Sequence, residues 1–289
     1  MEYLVADNWE DYELIDMGDG EKLERWGDAI LRRPDPQVIW PKFDLSLWEN
    51  ADAVYHRSAR GGGSWEYNKK LPDKWVINYG DLKFFVKTMS FKHTGIFPEQ
   101  GVNWDYMMQA IKGAGRPIKV LNLFGYTGGA TVAAAAAGAE VTHVDSAKGM
   151  VYCASENAEL SGLKNAKTKW MVDDAIKFVD RDLRRGNTYD GIIMDPPAYG
   201  KGPKGETWRC EDDLYKFIEK CAKLLSKKPL FFIVNSYTAG FSSMAIKNMI
   251  ESTVGKAHKG EIKFGEIGLK ASASDMVLPC GVFVRFEGK

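Results

Sequence analysis

The chain has 289 residues, enough for a large core in one α/β domain or in one domain with a smaller companion. Hydrophobic residues make up 45% and charged residues 27%, with a formal net charge of zero, the composition of an ordinary globular protein and not of a disordered or polyanion-coating chain. No apolar run approaches the roughly 18 to 20 residues needed to span a bilayer, and the acidic start "MEYLVADNWEDYELID" is unlike a signal peptide. Cys153, Cys210, Cys221 and Cys280 show no paired spacing, so neither a disulfide framework nor a zinc site is expected. These features imply a cytoplasmic protein with no membrane partner and no metal.

The first hundred residues hold short β-type runs, "YELIDM", "WGDAILRR", "KWVINY" and "LKFFVKT". Turn signals separate them: "GDG" at 18 to 20, "RPDP" at 33 to 36 and "GGG" at 61 to 63. Residues 1 to 20 carry seven acids and no base. Between 57 and 92 lie eight bases (Arg57, Arg60, Lys69, Lys70, Lys74, Lys83, Lys87, Lys92) interleaved with aromatics from Trp65 to Phe91. Bases among aromatics suit a polyanion with stackable rings. The same pattern also describes a twisted sheet with an apolar inner face and a solvated outer one. Residues 1–100 are therefore expected to form a small β-rich module that binds substrate or covers a neighbouring sheet.

From about residue 117 strands and helices alternate. "IKVLNLF" reads as a strand and "GGATVAAAAAGA" as a helix of small residues closed by Gly138; "EVTHVD" is the next strand, followed by a helix over "AKGMVYCASENAELSG". "KTKWMV" with "DAIKFVDRDLRRG" repeats the unit, "YDGIIMD" opens a fourth, and "PLFFIVNS" is a fifth buried strand. "EIKFGEIGLK" and "MVLPCGVFVRFE" follow with no helix between them, so they pair as an antiparallel hairpin. The expectation for 101–289 is a doubly wound, Rossmann-like α/β sheet of five parallel strands closed by that hairpin.

In such sheets ligands sit at the carboxyl ends of the strands, beside the point where strand order reverses. After the first strand comes "NLFGYTGGA", with Asn122, Phe124, Gly125, Tyr126, Thr127 and Gly128. Its glycines allow close approach to a ligand, and the helix beginning there offers unsatisfied N–H groups. Asp145 after the second strand is placed to accept from two ribose hydroxyls, and Asp173 and Asp174 after the third are placed to hold an adenine amine beside the small Ala175. Each feature alone has a plainer reading, a tight turn or a helix N-cap. Three in order at successive strand ends are specific. The first turn lacks the G-x-G-x-x-G of a nicotinamide enzyme.

With the motifs "FKHTGIFPEQ", "VLNLFGYTGGA", "VDSAKGMV", "DD" at 173–174 and "DPPAYG", the chain resembles the class I S-adenosylmethionine-dependent methyltransferases. The resemblance is to the bacterial large-subunit (23S) ribosomal-RNA family that includes the cytosine carbon-5 enzymes. It covers roughly residues 74 to 286 and is strongest from 92 to 200. It implies S-adenosyl-L-methionine as cofactor, a first turn wrapped around its methionine part, and a ribose contact at Asp145 with Ser146 beside it. It also implies that the segment with Phe97, Pro98 and Gln100 closes over the cofactor.

"DPPAYG" then sets the chemistry. A carboxylate and a proline carbonyl that both accept from an exocyclic amine favour the pyramidal nitrogen that attacks a methyl group, the role expected of Asp195 with Pro196. Pro196 and Pro197 fix φ and remove donors, and Tyr199 is placed to stack on a base. Two features depart from relatives. Ala198 separates the prolines from the aromatic, where amine methyltransferases place the aromatic directly. "IVNSYTAG" carries Asn235 and Ser236 where the carbon-5 enzymes keep a nucleophilic cysteine, which argues against carbon-5 chemistry. Lys201, Lys204, Trp208 and Arg209 suit phosphate and base contacts, or form a basic surface loop. The expected function is methylation of a base in ribosomal or other structured RNA. The alternatives are a small-molecule or protein methyltransferase, or a non-catalytic binding protein on the same scaffold.

Overall fold

The computed structural model describes residues 1–58, 62–202, 205–238 and 240–289. Arg60, Gly61 and Lys204, singled out above, lie outside the described residues. Two compact units divide the chain: Val5–Gly101 with Gly268–Cys280, and Met1–Leu4 with Val102–Ile267 and Gly281–Lys289. The boundary near residue 100 expected from composition is thus crossed twice, by the first four residues and by 268–280.

The chain opens with β1 (Glu2–Val5), an edge strand of the large sheet described below. In the first unit β2 (Tyr12–Gly18), β3 (Glu21–Trp26) and β4 (Ala29–Pro34) form an antiparallel meander. β5 (Ala53–Arg57) runs parallel to β4, and β6 (Gly63–Tyr67) pairs antiparallel with β5. The β2–β3 loop is two residues long, and Asp19 (φ 52°) and Gly20 (φ 80°) are both left-handed, the twist a tight hairpin requires. β7 (Trp75–Tyr79) and β8 (Leu82–Val86) make a separate hairpin.

Within the basic stretch, β8 follows the period of a half-buried strand. Leu82, Phe84 and Val86 are buried while Lys83 is exposed. The indoles of Trp65 and Trp75 donate to the carbonyls of Met89 (2.8 Å) and Trp26 (2.8 Å). Lys74 lies over the ring of Phe85 and Lys69 pairs with Asp52. Most of these aromatics serve the unit's own packing; Tyr67 and Phe91 are exposed.

The same unit contains a buried ion pair. Arg33 donates twice to Glu24, through Nε (2.6 Å) and Nη2 (2.8 Å), and Tyr12 donates to the same carboxylate at 2.9 Å. Burial disfavours the Glu24 carboxylate, but Arg33 and Lys22 outweigh it and hold its pKa at about 2. Arg33 Nη1 also donates to the carbonyl of Lys92 at 2.7 Å, and Trp9 Nε1 donates to that of Pro98 at 2.9 Å. Segment 92–100 is thereby fixed to the unit's own sheet.

The second unit contains α1 (Gly101–Gly113), β9 (Lys119–Leu123), α2 (Gly129–Ala136), β10 (Glu140–Asp145) and α3 (Lys148–Leu160). β11 (Thr168–Val172), α4 (Ala175–Arg185) and β12 (Gly191–Met194) follow. Then come the short strands β13 (Tyr199–Lys201) and β14 (Thr207–Arg209), α5 (Cys210–Ala222) and β15 (Phe231–Ser236). The chain closes with α6 (Ser243–Ser252), α7 (Val254–Ala257), β16 (Gly260–Lys270) and β17 (Val277–Gly288).

The eight-stranded sheet has the order β1-β16-β17-β15-β12-β9-β10-β11. β9, β10, β11, β12 and β15 are mutually parallel, and β17 pairs antiparallel with β15, giving the five parallel strands and closing hairpin expected from the sequence. β12 and β15 are buried along their whole lengths, because a parallel sheet is covered on both faces. Strand order runs outward from β9 to β10 and β11, then returns to β12 on the other side of β9. The switch point therefore lies between β9 and β12, and their carboxyl ends carry the site.

Candidate cofactor turn and acceptor loop

The turn after β9 is built from backbone that few sequences tolerate. Phe124 (φ 56°), Tyr126 (φ 50°) and Gly128 (φ 84°) all lie in the left-handed region, which is unfavourable for the two aromatics. Neighbouring groups pin them. Gly125 N donates to Val144 O at 3.0 Å, Gly128 N to Gly125 O at 2.9 Å, and Tyr126 N to Asp145 Oδ2 at 2.9 Å. Asp145 Oδ1 accepts from Ala147 N at 2.8 Å. Burial pushes the Asp145 carboxyl above its usual range, and those two backbone N–H groups oppose the rise.

Glycine is required here by space as well as by φ. A Cβ on Gly128 would lie 2.7 Å from Ala154 Cβ, and one on Gly125 would lie 2.4 Å from His143 Cε1. Asn157 Nδ2 donates to Thr127 O at 2.9 Å, tying the turn to α3. Thr127 is buried, and the Asn122 amide donates to Thr131 Oγ1 at 2.9 Å inside the layer between sheet and α2. Asn122 thus supports the turn from below, as part of the core.

After β11, Asp174 caps α4 by accepting from Lys177 N at 3.0 Å, and Asp173 pairs with Arg181. The N-cap reading of the third strand-end acid is therefore met. One cleft nevertheless joins Phe124, Asp145, Ser146, Asp173, Asp174 and Pro197, which come from four successive strand ends. Lys201 and Gly202 form a further wall of it. Phe97, Pro98 and Gln100 belong to the first unit, where Pro98 begins a short 3-10 turn that buries both Pro98 and Gln100.

The acceptor loop leaves β12 at Asp195, with Pro196 buried and Pro197 and Tyr199 exposed. β9 and β12 are adjacent, with Met194 paired to Leu123, so Asp195 and Phe124 are the residues that follow the last paired position of two neighbouring strands. The loop is not irregular: β13 and β14 pair, Tyr199 with Arg209 and Lys201 with Thr207. Those four residues are exposed on one face, while Trp208 points inward and is 5% exposed. Its ring packs on Phe124 (5.1 Å) and Phe217 (5.4 Å), and its Nε1 donates to Pro197 O at 2.7 Å. Trp208, expected to touch a base, is a core anchor instead. The alternation of exposed and buried residues in "YGK" and "TWR" was the available signal.

Cys210 and Cys221 are buried, and burial raises both thiols, the opposite of what a thiolate nucleophile needs. Asn235 and Ser236, beyond the β15 residue paired with Met194, are buried, and Asn235 Oδ1 accepts from Asn103 Nδ2 at 3.0 Å. Among the described residues no group of three or more His, Cys, Asp or Glu could hold a metal, and no helix is long and apolar enough to cross a membrane.

Residues 53–240 match the family described as S-adenosylmethionine-dependent methyltransferase. The crystal structure of a SAM-dependent methyltransferase from Agrobacterium tumefaciens superposes with a TM-score of 0.96 at 37% identity, covering 100% of this chain and 94% of that one. The chain belongs to the S-adenosylmethionine-dependent methyltransferase family. Among curated relatives, ribosomal RNA large subunit methyltransferase K of Neisseria meningitidis serogroup B is 27% identical over 235 residues, 76% of this chain and 64% of that protein. Ribosomal RNA large subunit methyltransferase K/L of Shewanella frigidimarina is 32% identical over 239 residues, 78% of this chain and 31% of that protein. The chain thus spans less than two thirds of the length of these two relatives.

The turn fits the cofactor that defines the family. Its floor is bare backbone at positions where a side chain would collide, and the Asp145 carboxylate stands at its edge. Phe124, Gly125, Tyr126 and Gly128 of the turn, with Asp145 and Asp174, are the residues that would hold S-adenosylmethionine there.

Proposed function

We propose that the protein transfers the methyl group of S-adenosylmethionine to a base in structured RNA in the cytoplasm, the RNA being ribosomal as in the names of its relatives. The observation that carries this is the adjacency of Asp195–Pro196 to the cofactor turn across the switch point of the sheet. S-adenosylmethionine supplies a methyl carbon on a positively charged sulfur. The protein's work is then to place an acceptor in line and to steer charge. Asp195 and the Pro196 carbonyl accept from the acceptor's polar edge, and Tyr199 offers a ring beside them. Lys201 and Arg209 share the exposed hairpin face with Tyr199 and suit phosphate contacts. The burial of Cys210 and Cys221, with Asn235 and Ser236 at the end of β15, supports direct displacement over attack by a cysteine.

The test is mass spectrometry of nucleosides from RNA of cells with and without the gene, followed by methyl transfer with the purified protein. One methylated base missing from the deletion strain and restored in vitro is expected. Transfer to a small molecule or a protein, with RNA unchanged, would replace this reading.

A further inference from the structure

The acceptor loop is short of donors. Pro196 and Pro197 have no backbone N–H, so this stretch is tied down through its carbonyls and side chains. Two of those carbonyls are claimed from the far arm of the hairpin. Trp208 Nε1 donates to Pro197 O at 2.7 Å, and Cys210 N donates to Ala198 O at 3.0 Å. The indole that makes the first bond has a second attachment. Its ring, itself buried, lies 5.1 Å from that of Phe124 and 5.4 Å from that of Phe217, and those two rings are 5.7 Å apart. The three rings close a triangle, and one corner of it is a residue of the cofactor turn held at φ 56°. Phe124, Pro197 and Trp208 line the same cleft as Asp145 and Asp174. One side chain therefore touches the turn with its ring and the loop with its N–H. Phenylalanine at this position would supply the ring without the donor.

We propose that Trp208 is a positioning residue for methyl transfer. Its ring packs Phe124 into the left-handed backbone that shapes the turn, and its Nε1–H fixes the Pro197 carbonyl two residues beyond Asp195. The acceptor loop is thereby held in register with the cofactor turn, and Trp208 acts through Phe124 and Pro197 without touching a reacting atom. Small displacements matter because an in-line transfer depends on where the acceptor stands relative to the methyl carbon. The proposal rests on the reading that Asp195 and Pro196 face the acceptor.

The test uses the full chain, S-adenosylhomocysteine as the cofactor probe and ribosomal RNA from cells lacking the gene as the acceptor. Trp208→Phe keeps a ring beside Phe124 and removes the donor. It is expected to bind the probe and the RNA as the wild type does and to slow single-turnover methyl transfer about 10- to 100-fold. Trp208→Ala, which loses the ring as well, is expected to weaken the probe in addition. A packing role alone would lower the melting temperature and leave folded, cofactor-saturated Trp208→Phe at the wild-type transfer rate, which overturns the proposal. A second measurement needs no variant. In wild-type protein labelled with 15N, the Trp208 indole N–H signal, assigned through its own backbone, is expected to move on saturation with the probe, because its ring lies against Phe124. An unmoved signal overturns the proposal while cofactor binding stands. Asp195→Ala measured alongside separates the two readings. If it is slow and Trp208→Phe is fast, the proposal alone falls; if Asp195→Ala keeps the wild-type rate, the acceptor reading and the proposal fall together.

Discussion

The turn after β9 and the loop after β12 lie side by side at the end of one sheet and are built in opposite ways. Residues 124–128 are shaped by backbone: three left-handed residues, two glycines with no room for a side chain, and N–H groups pinned by Val144 and Asp145. The hairpin of β13 and β14 is shaped by side chains: Tyr199, Lys201, Thr207 and Arg209 are exposed, with Trp208 sunk into the core as its root. On the proposed function the difference follows from what each would admit. A small ligand of constant shape is best met by preorganised backbone, which loses no side-chain entropy on binding. A macromolecule needs a projecting, polar and aromatic face that reaches it without threading a cleft.

The contrast is most sharply tested at Gly128. Gly128→Val forces a β-branched residue into φ 84° and against Ala154. The left-handed strain costs about 1–2 kcal/mol, and the overpacking about 1–3 kcal/mol more. The variant is expected to lose measurable S-adenosylhomocysteine binding in calorimetry and to melt several degrees lower. Unchanged affinity would show that the ligand does not rest on this backbone.

Asp195→Ala should behave in the opposite way. It sits in the loop and should leave cofactor affinity within a few-fold while cutting turnover about 10²–10³-fold, the range for one preorganised polar group. A variant that lost cofactor affinity and turnover in parallel would merge the two regions into one site.

Asp145 lies between them in effect. Its carboxylate already takes two backbone N–H groups, so Asp145→Ala loosens the turn as well as removing a ligand contact. A loss of roughly 1.5–3 kcal/mol in cofactor affinity is expected, about 10- to 150-fold. Its pH dependence has a definite sign. Burial raises this carboxyl, so the folded protein takes up a proton at higher pH than the unfolded chain. Stability from this group is present in acid and lost as pH rises through its folded pKa. Cofactor affinity runs the other way and weakens on acidification before an ordinary aspartate would titrate. Asp145→Asn should flatten that acid limb in a calorimetric series; an unaltered limb would assign it to another group.

The sequence carried the turn more legibly than the loop, and the physics explains why. Alternating strands and helices, and a small residue wherever backbone must approach, are local patterns, so the five parallel strands and the strand-end acids could be read directly. Trp208 could not be placed by composition. Among Lys201, Thr207 and Arg209 it resembles a base-stacking residue, and its burial follows from a hairpin pairing that an apparently irregular loop did not suggest. For the aromatics between 57 and 92 two readings stood side by side, and Trp65 and Trp75 follow the one in which they pack the sheet, spending their indole N–H groups on nearby carbonyls. Asn122 looked like a cofactor contact because it stands in the right motif. The Thr131–His143 network that claims it is contributed by two other elements.

The smallest expected effect belongs to the hairpin's cations, and it separates a nucleic-acid face from a solvated one. Tyr199, Lys201, Thr207 and Arg209 share one exposed face, but Glu211, Asp212 and Asp213 follow in the first turn of α5, so the local field is mixed. If Lys201 and Arg209 each neutralise one phosphate, the logarithm of RNA affinity falls with the logarithm of salt concentration, and each cation contributes about 0.7–0.9 to the slope. Lys201→Gln and Arg209→Gln should each flatten the slope by that amount and weaken binding evenly across RNA sequences. Tyr199→Ala should weaken binding through stacking without changing the slope. Tyr199→Ala and Arg209→Gln should leave cofactor affinity alone, because neither residue lines the cleft of the turn. Fluorescence anisotropy with a labelled ribosomal RNA fragment at four or five salt concentrations measures each slope. Slopes that match the wild type in both cation variants would return Lys201 and Arg209 to solvent and move the RNA contact to the exposed bases Lys70, Lys83 and Lys87 of the first unit.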